Sequence, residues 1–415
     1  MFTNQFPGRV STFFARDMRA LIDCGIEVDV FALYPENRSL WQNVPDILDE
    51  RVFPRAKVHH INISTVLRLQ KRMDRFGRFL HDTARISSSA ALFGIRPFAK
   101  TAYALMKAWG WAQQYSDGVD HLLAYWGNYS ATCAYMFHRL LPGNIPFSMF
   151  LHAGIDLYRD RVYLAQKMAY VDNIFVVCDF NRQFIKEHYP ELFPLIEKKI
   201  HVHHLGLDLE EFEFQPEKKS TRKVVAAGHL VKAKGFDYLV RAIHQLKLRG
   251  IGIELLIIGD GKEKSALKNL ASRLGIEKAL SITGWQTPEA VRGMIRDATI
   301  LVHPSPQLGD AVPTVIKEAM ALGTPVIGTS IAGIPELLDH GKCGVLVPPA
   351  NVIALAEAIQ LLLADPSLRK RHAQSARSFA EEKFNLWRNG QRLAALLRNT
   401  IRSNSVIQQH DAGPV

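Results

Sequence analysis

Short apolar runs alternate with longer amphipathic segments along the whole chain of 415 residues. In the first half, four apolar runs predict strands, at 27–33 (EVDVFAL), 120–126 (DHLLAYW), 146–153 (PFSMFLHA) and 173–178 (NIFVVC). In the second half, five runs at roughly regular spacing predict strands, at 223–228, 254–259, 279–284, 299–304 and 324–329. Such alternation is typical of α/β proteins with parallel sheets, and the regular spacing favours a doubly wound sheet in the second half.

The length of the chain and one polar segment predict two domains. A chain of 415 residues exceeds one ordinary core. The segment DLEEFEFQPEKKSTR has no sustained period and contains a proline, which favours a linker. We therefore predict the following order: an α/β domain at 1–207, a linker at 208–222, a second α/β domain at 223–384, a helix at 385–402 that returns to the first domain, and an unstructured tail at 403–415. The turn at Phe6 and Pro7 leaves little sequence for a full first strand, so we expect the natural start to lie upstream.

Composition narrows the class of protein. A hydrophobic fraction of 47% with 22% charged residues is typical of a globular protein. The four cysteines, at 24, 133, 178 and 343, form no C-x-x-C pair, which argues against a disulfide framework or zinc cluster and fits a reducing cytosol. The first residues lack the apolar core of a signal peptide, and the chain has no apolar run long enough to span a membrane. We therefore predict a cytoplasmic protein.

The positive charge is concentrated in one stretch. The formal net charge is +11, and between Arg51 and Gly110 twelve Lys or Arg stand against only Asp74 and Asp82. Leu, Phe, Ile and Trp are interleaved with these basic residues. Two interpretations stay open at this stage: helices on the anionic inner face of a membrane, or a solvated helical face. Nucleic acid is disfavoured, because no recognised binding motif accompanies the charge.

Two segments of the second half have the pattern of phosphate-binding loops. GHLVKAKG at 228–235 follows a predicted strand and precedes a predicted helix, so the ammonium of Lys234 and free backbone N–H groups could meet a phosphate there. A surface lysine is the alternative. GDG at 259–261 reads more simply as a tight turn.

The stronger segment is GDAVPTVIKEAMALGTPVIGT, from Gly309 to Thr329. Pro313 suits the first turn of a helix and Gly323 suits its end. Asp310 before this helix and Glu318 on it could bind hydroxyls on two parts of one ligand, while the helix start receives the phosphates between them. The alternative is that Asp310 caps the helix and Glu318 faces solvent.

These motifs resemble those of the retaining glycosyltransferases of family 4. Asp310 and Glu318 have the spacing of that family's E-x7-E motif, and the segment 228–349, including GHLVKAKGFDYLVRA and GIPELLDHGKCGVLVPP, resembles its donor domain. In the first half, NQFPGRVSTFFARDMRALIDCGIEVDVFAL resembles the opening of the acceptor domain and FSMFLHAGIDLY its H-x-x-D-I-Y segment. The resemblance implies the GT-B fold, in which two Rossmann-like parallel-sheet domains face each other across a cleft.

The resemblance also implies roles for individual residues. Lys234 would neutralise the donor diphosphate, Glu318 would bind the ribose hydroxyls and Asp310 would contact the transferred sugar. His152 would face the donor sugar, although a histidine satisfied at a strand end is the plain alternative. Further residues implied in donor binding are Gly228, His229, Ala311, Val312 and Pro313, and Gly8 and Arg9 are implied in a loop on the acceptor side.

Two positions depart from the family pattern. Asp310 stands where the family usually has Glu, which shortens the reach by one methylene, and His229 stands where an arginine is usual. Either change leaves open a second function, that of a catalytically weak binding or scaffold subunit of a polysaccharide assembly complex. An enzyme that epimerises or phosphorolyses sugars is disfavoured by the acidic helix followed by GIPE.

The function that the resemblance implies is metal-independent sugar transfer with retention of anomeric configuration. The donor would be a nucleotide sugar and the acceptor a saccharide or lipid-linked saccharide, in bacterial-type surface polysaccharide synthesis. We expect no cofactor and no metal, because Lys234 and the helix start supply positive potential, and no D-x-D triplet occurs in the chain. HVHH at 201–204 is interpreted as a strand and not as a metal site.

Overall fold

The fold is described from a computed structural model that covers residues 1–6, 12–35, 57–68, 75–115, 118–159, 161–217 and 222–411. The chain divides into two compact units. The N-terminal unit comprises Met1–Gly206 together with Leu386–Val415, and the C-terminal unit comprises Leu207–Asn385. No helix among the described residues has both the length and the apolar character needed to cross a bilayer.

The N-terminal unit contains a seven-stranded parallel sheet with the order β3-β2-β1-β4-β5-β6-β7. Its strands are β1 (Phe2–Thr3), β2 (Val30–Ala32), β3 (Val58–His59), β4 (Leu122–Ala124), β5 (Phe147–Leu151), β6 (Asn173–Val176) and β7 (Ile200–Val202). The direction of strand addition reverses between β1 and β4, so the loops after these strands meet at the carboxyl edge of the sheet, where α/β proteins bind ligands.

Helices cover this sheet. They are α1 (Thr12–Asp23), α2 (Ile63–Arg68), α3 (Phe76–Ala91), α4 (Ile95–Gln114), α5 (Tyr129–Leu140), α6 (Leu164–Tyr170), α7 (Asp179–His188) and α8 (Phe193–Ile196), with a π-helical turn at Gly154–Arg159. Two clusters of buried apolar side chains form the core of the unit. Phe2, Trp111 and Phe137 belong to the larger cluster, and Phe14, Tyr125 and Phe150 to the smaller.

The C-terminal unit contains a six-stranded parallel sheet with the order β10-β9-β8-β11-β12-β13. Its strands are β8 (Lys223–Ala227), β9 (Glu254–Ile258), β10 (Leu280–Ile282), β11 (Ile300–His303), β12 (Val326–Thr329) and β13 (Val345–Val347). Its helices are α9 (Phe236–Leu248), α10 (Lys264–Arg273), α11 (Pro288–Arg296), α12 (Thr314–Leu322), α13 (Ile334–Leu337), α14 (Val352–Ala364) and α15 (Pro366–Lys383). All nine strands predicted from apolar runs are confirmed, and both sheets are parallel as expected.

The last helix, α16 (Leu386–Asp411), packs against α1 within the N-terminal unit. Gly390 permits the close approach, because a Cβ at this position would lie 2.4 Å from the Cβ of Ala20. Asn389 Nδ2 also donates to the carbonyl of His204, at 2.8 Å. The helix continues past Arg402 to Asp411, where the sequence had suggested an unstructured tail from 403. Residues 391–411 contain neither glycine nor proline, so nothing in them ends the helix.

Two loops of the C-terminal unit touch through their backbones. Gly259, at the end of β9, has φ +143°, and a Cβ there would lie 2.0 Å from the carbonyl oxygen of Gly228. A Cβ at Gly261 would lie 2.5 Å from the carbonyl oxygen of Leu230. The GDG turn therefore packs directly against the loop after β8 and fixes its position.

Gly259→Ala should lower the free energy of unfolding of the C-terminal unit by roughly 2–3 kcal/mol, because the methyl group meets backbone and the φ angle disfavours a side chain. Gly293→Ala is the matched control: Gly293 lies within α11, and a Cβ there would meet nothing within 4 Å, so alanine should be neutral or stabilising. Urea unfolding of both variants measures this. Equal stabilities would contradict the close contact between the loops.

Candidate active site

In the C-terminal unit, two of the predicted site residues, Lys234 and Asp310, meet at the carboxyl edge of the sheet. Lys234 ends a single 3-10 turn, Lys232–Lys234, in the loop after β8, and Gly235 is the N-cap of α9. Lys234 Nζ forms an ion pair and hydrogen bond with Asp310 Oδ2, from the loop that precedes α12. Lys234 and Asp310 lie 76 residues apart in the sequence, and the structure brings these two sequence-predicted residues together.

Gly235 fixes the position of Lys234. Its φ angle is +67°, and a Cβ there would lie 2.1 Å from the carbonyl oxygen of Pro304. Only a glycine lets the loop after β8 press against the loop after β11 at this point. The Lys234 side chain is 18% exposed, whereas that of Asp310 is 47% exposed. The ammonium is therefore partly shielded, and the carboxylate stands between it and solvent.

His303, the last residue of β11, is a residue of this site that the sequence analysis did not single out. It is buried, and its Nε2 lies 3.1 Å from Ser305 Oγ. Burial first, and then the Lys234 ammonium, lower the pKa of His303 to about 3, while Asp310 acts in the opposite sense. His303 is therefore neutral at pH 7. Its position at the carboxyl end of a parallel strand was the signal that could have found it.

Asp310 is held in its charged form. Partial desolvation acts to raise its pKa, but the Lys234 ammonium and His303 bring the pKa below its usual value. The site therefore contains a full ion pair at neutral pH, and an anionic ligand that approaches Lys234 competes with Asp310 for the same ammonium.

The loop Gly309–Pro313 leads into α12 much as predicted. Pro313, predicted in the first turn of the helix, is the N-cap residue just before it, with φ −62° and ψ 120°. Gly323 is the C-cap and has the left-handed conformation. Gly333 N–H donates to the carbonyl of Ala311, at 3.1 Å, which ties the GIPE segment to this loop. Glu318 lies on α12 and is half-buried, Val312 is half-buried, and Ala311 and Pro313 are buried.

The remaining predicted donor residues lie in the loop after β8. Gly228 has φ +150°, and a Cβ there would lie 3.8 Å from Lys234 Cε. His229 is exposed and lies near Asp260, whose pKa is lowered by the Gly261 N–H first, then by Lys264 and also by His229. The assignment of these residues to a ligand stays a prediction.

In the N-terminal unit, His152 lies in a box of aromatic rings at the end of β5. Its ring centroid is 4.5 Å from that of Trp126, 4.9 Å from Tyr125, 5.3 Å from Phe13 and 5.4 Å from Phe150. His152 is 6% exposed, and among the described residues neither ring nitrogen has a hydrogen-bond partner. Buried polar groups are normally hydrogen-bonded, so the hydrogen-bonding capacity of this imidazole is unused among the described residues. The predicted loop residues Gly8 and Arg9 lie outside the described part of the chain.

A buried carboxylate holds the backbone around His152. Asp156 accepts hydrogen bonds from the backbone N–H of His152 (3.0 Å), Ala153 (2.9 Å) and Gly127 (3.2 Å). Its Oδ2 also lies 3.5 Å from His152 Nδ1, without the geometry of a hydrogen bond. Asp156 thereby joins the loop after β4 to the loop after β5. Asp156 belongs to the H-x-x-D-I-Y segment that carried the resemblance, but its hydrogen bonds to the backbone of these two loops could not be predicted from the sequence.

Lys167 is fully buried and contacts the loop after β4. Its Nζ donates to the carbonyls of Gly127 (2.7 Å) and Asn128 (3.2 Å) and to Thr132 Oγ1 (3.1 Å). Burial lowers the pKa of Lys167 to about 7, and the negative charge of Asp156 opposes that shift. Nothing in the sequence marked Lys167, since its three acceptors come from a segment about 40 residues away.

The histidines at 201–204 have separate partners. His201 Nε2 lies 3.1 Å from Asn173 Oδ1, His203 Nε2 lies 3.3 Å from Asp17 Oδ2, and His204 Nδ1 lies 3.3 Å from the carbonyl of Val177. The three rings thus support strand β7 and its neighbours within the N-terminal unit.

The chain is similar to known glycosyltransferases. Residues 208–379 match the family described as glycosyl transferases group 1. The chain is 30% identical over 208 residues to the putative colanic acid biosynthesis glycosyltransferase WcaL of Escherichia coli, over 48% of this chain and 51% of that one. It is 24% identical over 404 residues to the amylovoran biosynthesis glycosyltransferase AmsK of Erwinia amylovora, covering 92% and 95% of the two chains. The chain thus spans about half the length of WcaL and nearly all of AmsK.

Solved structures show the same fold at low sequence identity. Anabaena HepE, in complex with UDP and glucose, has a TM-score of 0.69 at 15% identity, over 96% of this chain and 98% of that one. This likeness extends over both units and supports the two Rossmann-like sheets predicted from the sequence. The chain therefore has the fold of GT-B glycosyltransferases, and its residues 208–379 match the family described as glycosyl transferases group 1.

Proposed function

We propose that this protein is a retaining glycosyltransferase that moves a sugar from a nucleotide-sugar donor to a saccharide or lipid-linked saccharide acceptor without a metal ion. The observation that carries the proposal is the Lys234–Asp310 ion pair in front of α12, inside the domain that matches glycosyl transferases group 1. It joins a fixed positive charge, a helix N-terminus and a carboxylate in one place.

Positive charge at this point suits a leaving diphosphate. Glycosyl transfer builds negative charge on the departing phosphate, and groups already aimed at that charge stabilise the transition state. The Lys234 ammonium and the N-terminus of α12 would meet the diphosphate, and neutral His303 adds no competing charge. These groups take the part that a divalent cation plays in other glycosyltransferases.

The remaining roles are those that the family resemblance implies. Glu318, on α12, would bind the ribose hydroxyls, and Asp310 would hold the sugar once the diphosphate has taken its place beside Lys234. In the step itself, the bond from the anomeric carbon to the phosphate oxygen breaks and a bond to the acceptor oxygen forms on the same face. The acceptor proton passes to the departing phosphate, so no protein nucleophile is required.

The nature of the substrates is supported by the relatives. HepE binds UDP and glucose, and WcaL and AmsK are named for the biosynthesis of the polysaccharides colanic acid and amylovoran. We propose a nucleoside-diphosphate sugar as the donor, and bacterial surface polysaccharide synthesis on the cytoplasmic side of the membrane as the setting. The imidazole of His152 makes no hydrogen bond among the described residues and is framed by aromatic faces, so it has the chemistry of a saccharide subsite in the N-terminal unit.

Incubation with a panel of nucleotide sugars in the presence of EDTA tests the proposal. We expect release of the nucleoside diphosphate from at least one donor at an unchanged rate, and a product that keeps the anomeric configuration of that donor. A rate that EDTA abolishes and Mg²⁺ or Mn²⁺ restores would contradict the metal-free mechanism.

The exposed His229 and the short Asp310 side chain are the basis for a second candidate function, that of a binding subunit with little or no catalysis. Donors that raise the melting temperature but are never turned over would favour the catalytically weak binding subunit instead, because ligand binding alone stabilises the folded state.

A further inference from the structure

The turn between α3 and α4 presents four apolar side chains to solvent. Leu92 is 87% exposed, Ile95 83%, Phe93 46% and Phe98 41%. We call these four residues the hairpin tip. Single exposed apolar residues are ordinary on protein surfaces, but four large ones within seven positions form a patch of the kind that marks an interaction surface.

The hairpin tip is not needed to hold the hairpin together. The facing sides of the two helices bury Ile86, Ala90, Ala104, Leu105 and Ala108 in the core of the N-terminal unit. The turn itself is ordered by its backbone: Phe93 N–H donates to the carbonyl of Ala90 and Gly94 N–H to that of Ala91, both at 3.1 Å. Gly94, at φ +103°, allows the chain to enter α4 directly. The apolar side chains therefore project from a turn that is ordered by its own hydrogen bonds and by the packing of α3 against α4.

The surroundings of the tip are positively charged. Arg85, Arg96 and Lys100 are exposed on the same two helices. The one acidic residue within α3 and α4, Asp82, is buried and pairs with Arg139 at 2.8 Å, so it does not offset this charge at the surface. The result is an apolar apex with a basic border.

Two other arginines of the basic stretch have different partners. Arg75 donates to the carbonyl of Leu140, and Arg78 donates to that of Arg139 at 3.1 Å, so both are bound to the last turn of α5. Their charge lies at a helix C-terminus, where it stabilises the fold. A surface for an external partner is therefore better sought at the hairpin tip than at these arginines.

We propose that the hairpin tip docks on an anionic lipid bilayer. Leu92, Phe93 and Ile95 enter the boundary between headgroups and acyl chains, while Arg96 and Lys100 contact lipid phosphates. A second copy of the chain is a poorer occupant, because a symmetric contact would bring this basic border against itself. The inference deepens the proposed function by bringing a lipid-linked acceptor to the N-terminal unit, but lipid binding can be measured independently of sugar transfer.

Flotation with lipid vesicles tests the proposal. We expect the full chain to bind vesicles of phosphatidylcholine and phosphatidylglycerol at low salt, to bind pure phosphatidylcholine vesicles much more weakly, and to be released from the anionic vesicles at high salt. The triple variant L92S/F93S/I95S should lower the partition coefficient at least about tenfold, because its apolar contacts are lost. The variant R96E/K100E should abolish the preference for anionic vesicles.

Matched controls come from equally exposed positions elsewhere. Leu195 is 76% exposed and Leu248 is 68% exposed, so L195S/L248S removes exposed apolar side chains that do not belong to the tip. Lys268 and Lys278 are exposed on the C-terminal unit, so K268E/K278E makes the same change of charge as R96E/K100E. Both controls should bind vesicles as the unaltered protein does.

Three results would overturn the proposal: failure of the unaltered protein to bind anionic vesicles at low salt, wild-type binding by the triple variant, or self-association that the triple variant abolishes in analytical ultracentrifugation. Melting temperatures equal to that of the unaltered protein confirm that each variant is folded. Lipid binding with no turnover of any donor would instead overturn the proposed function and leave this inference standing.

Discussion

Replacing Lys234 by alanine should reduce kcat/KM for sugar transfer by about 10²–10³-fold, since the group assigned to the developing phosphate charge is removed. The free energy of unfolding should change by less than about 1 kcal/mol, because the partner carboxylate of Asp310 is half exposed and pairs of this kind contribute little to stability. Steady-state kinetics with the best donor of the panel, alongside urea unfolding, measure both quantities.

Lys232 provides the control. It lies in the same 3-10 turn and is exposed, so Lys232→Ala removes a neighbouring charge of the same sign without touching Asp310. Its kcat/KM should stay within about twofold of the wild-type value, which corresponds to roughly 0.4 kcal/mol. Equal losses for the two variants would mean that general positive potential, and not Lys234 itself, serves the reaction.

Asp310 allows a sharper form of the same test. In the ligand-free protein its carboxylate is paired with the ammonium of Lys234, the group to which the diphosphate is proposed to bind. Asp310→Asn should therefore bind the nucleoside diphosphate alone more tightly, while it transfers the sugar more slowly. Titration calorimetry with the diphosphate, combined with transfer rates, separates the two effects. Weaker binding of the diphosphate would show that Asp310 does not compete for Lys234.

The fold of the C-terminal unit could largely be predicted from the sequence, and so could the position of its candidate site. Its strands lie within apolar runs of regular spacing, and its candidate site residues lie at motif positions on the loops after β8 and β11 and on α12. Local pattern and position at strand ends were sufficient there. His303 was not predicted, because nothing in the local sequence distinguishes a buried histidine beside a site from one that only fills a strand.

The site region of the N-terminal unit could be predicted much less well. The rings around His152 come from α1, the loop after β4 and strand β5, so only the folded chain brings them together. Strands β1 and β3 have two residues each, too few to give a periodic signal. The basic stretch was visible as charge, but the sequence could not separate arginines bound to α5 from those beside the hairpin tip.

Removing the carboxylate of Asp156 should destabilise the N-terminal unit by about 3–5 kcal/mol in Asp156→Ala. Three backbone N–H groups lose their acceptor, and Lys167 is left buried without the negative charge that favours its protonated form. Among the described residues, four tryptophans, at 109, 111, 126 and 387, belong to this unit and one, at 285, to the other, so tryptophan fluorescence during urea unfolding reports mainly its stability. Asp120→Ala, which removes an exposed carboxylate of the same unit, should change stability by less than about 0.5 kcal/mol.

The double variant D156A/K167M shows whether Lys167 carries the effect. In the single variant the folded-state pKa of Lys167 lies below its wild-type value of about 7, whereas the ordinary value is 10.5. Between these two values the unfolded chain binds one more proton than the folded protein, so the free energy of unfolding rises with pH by up to about 1.4 kcal/mol per unit. Methionine at 167 removes this slope. Relative to the double variant, the single variant should therefore gain stability from pH 7 to pH 9, and identical pH profiles would show that the loss comes from the unpaired N–H groups alone.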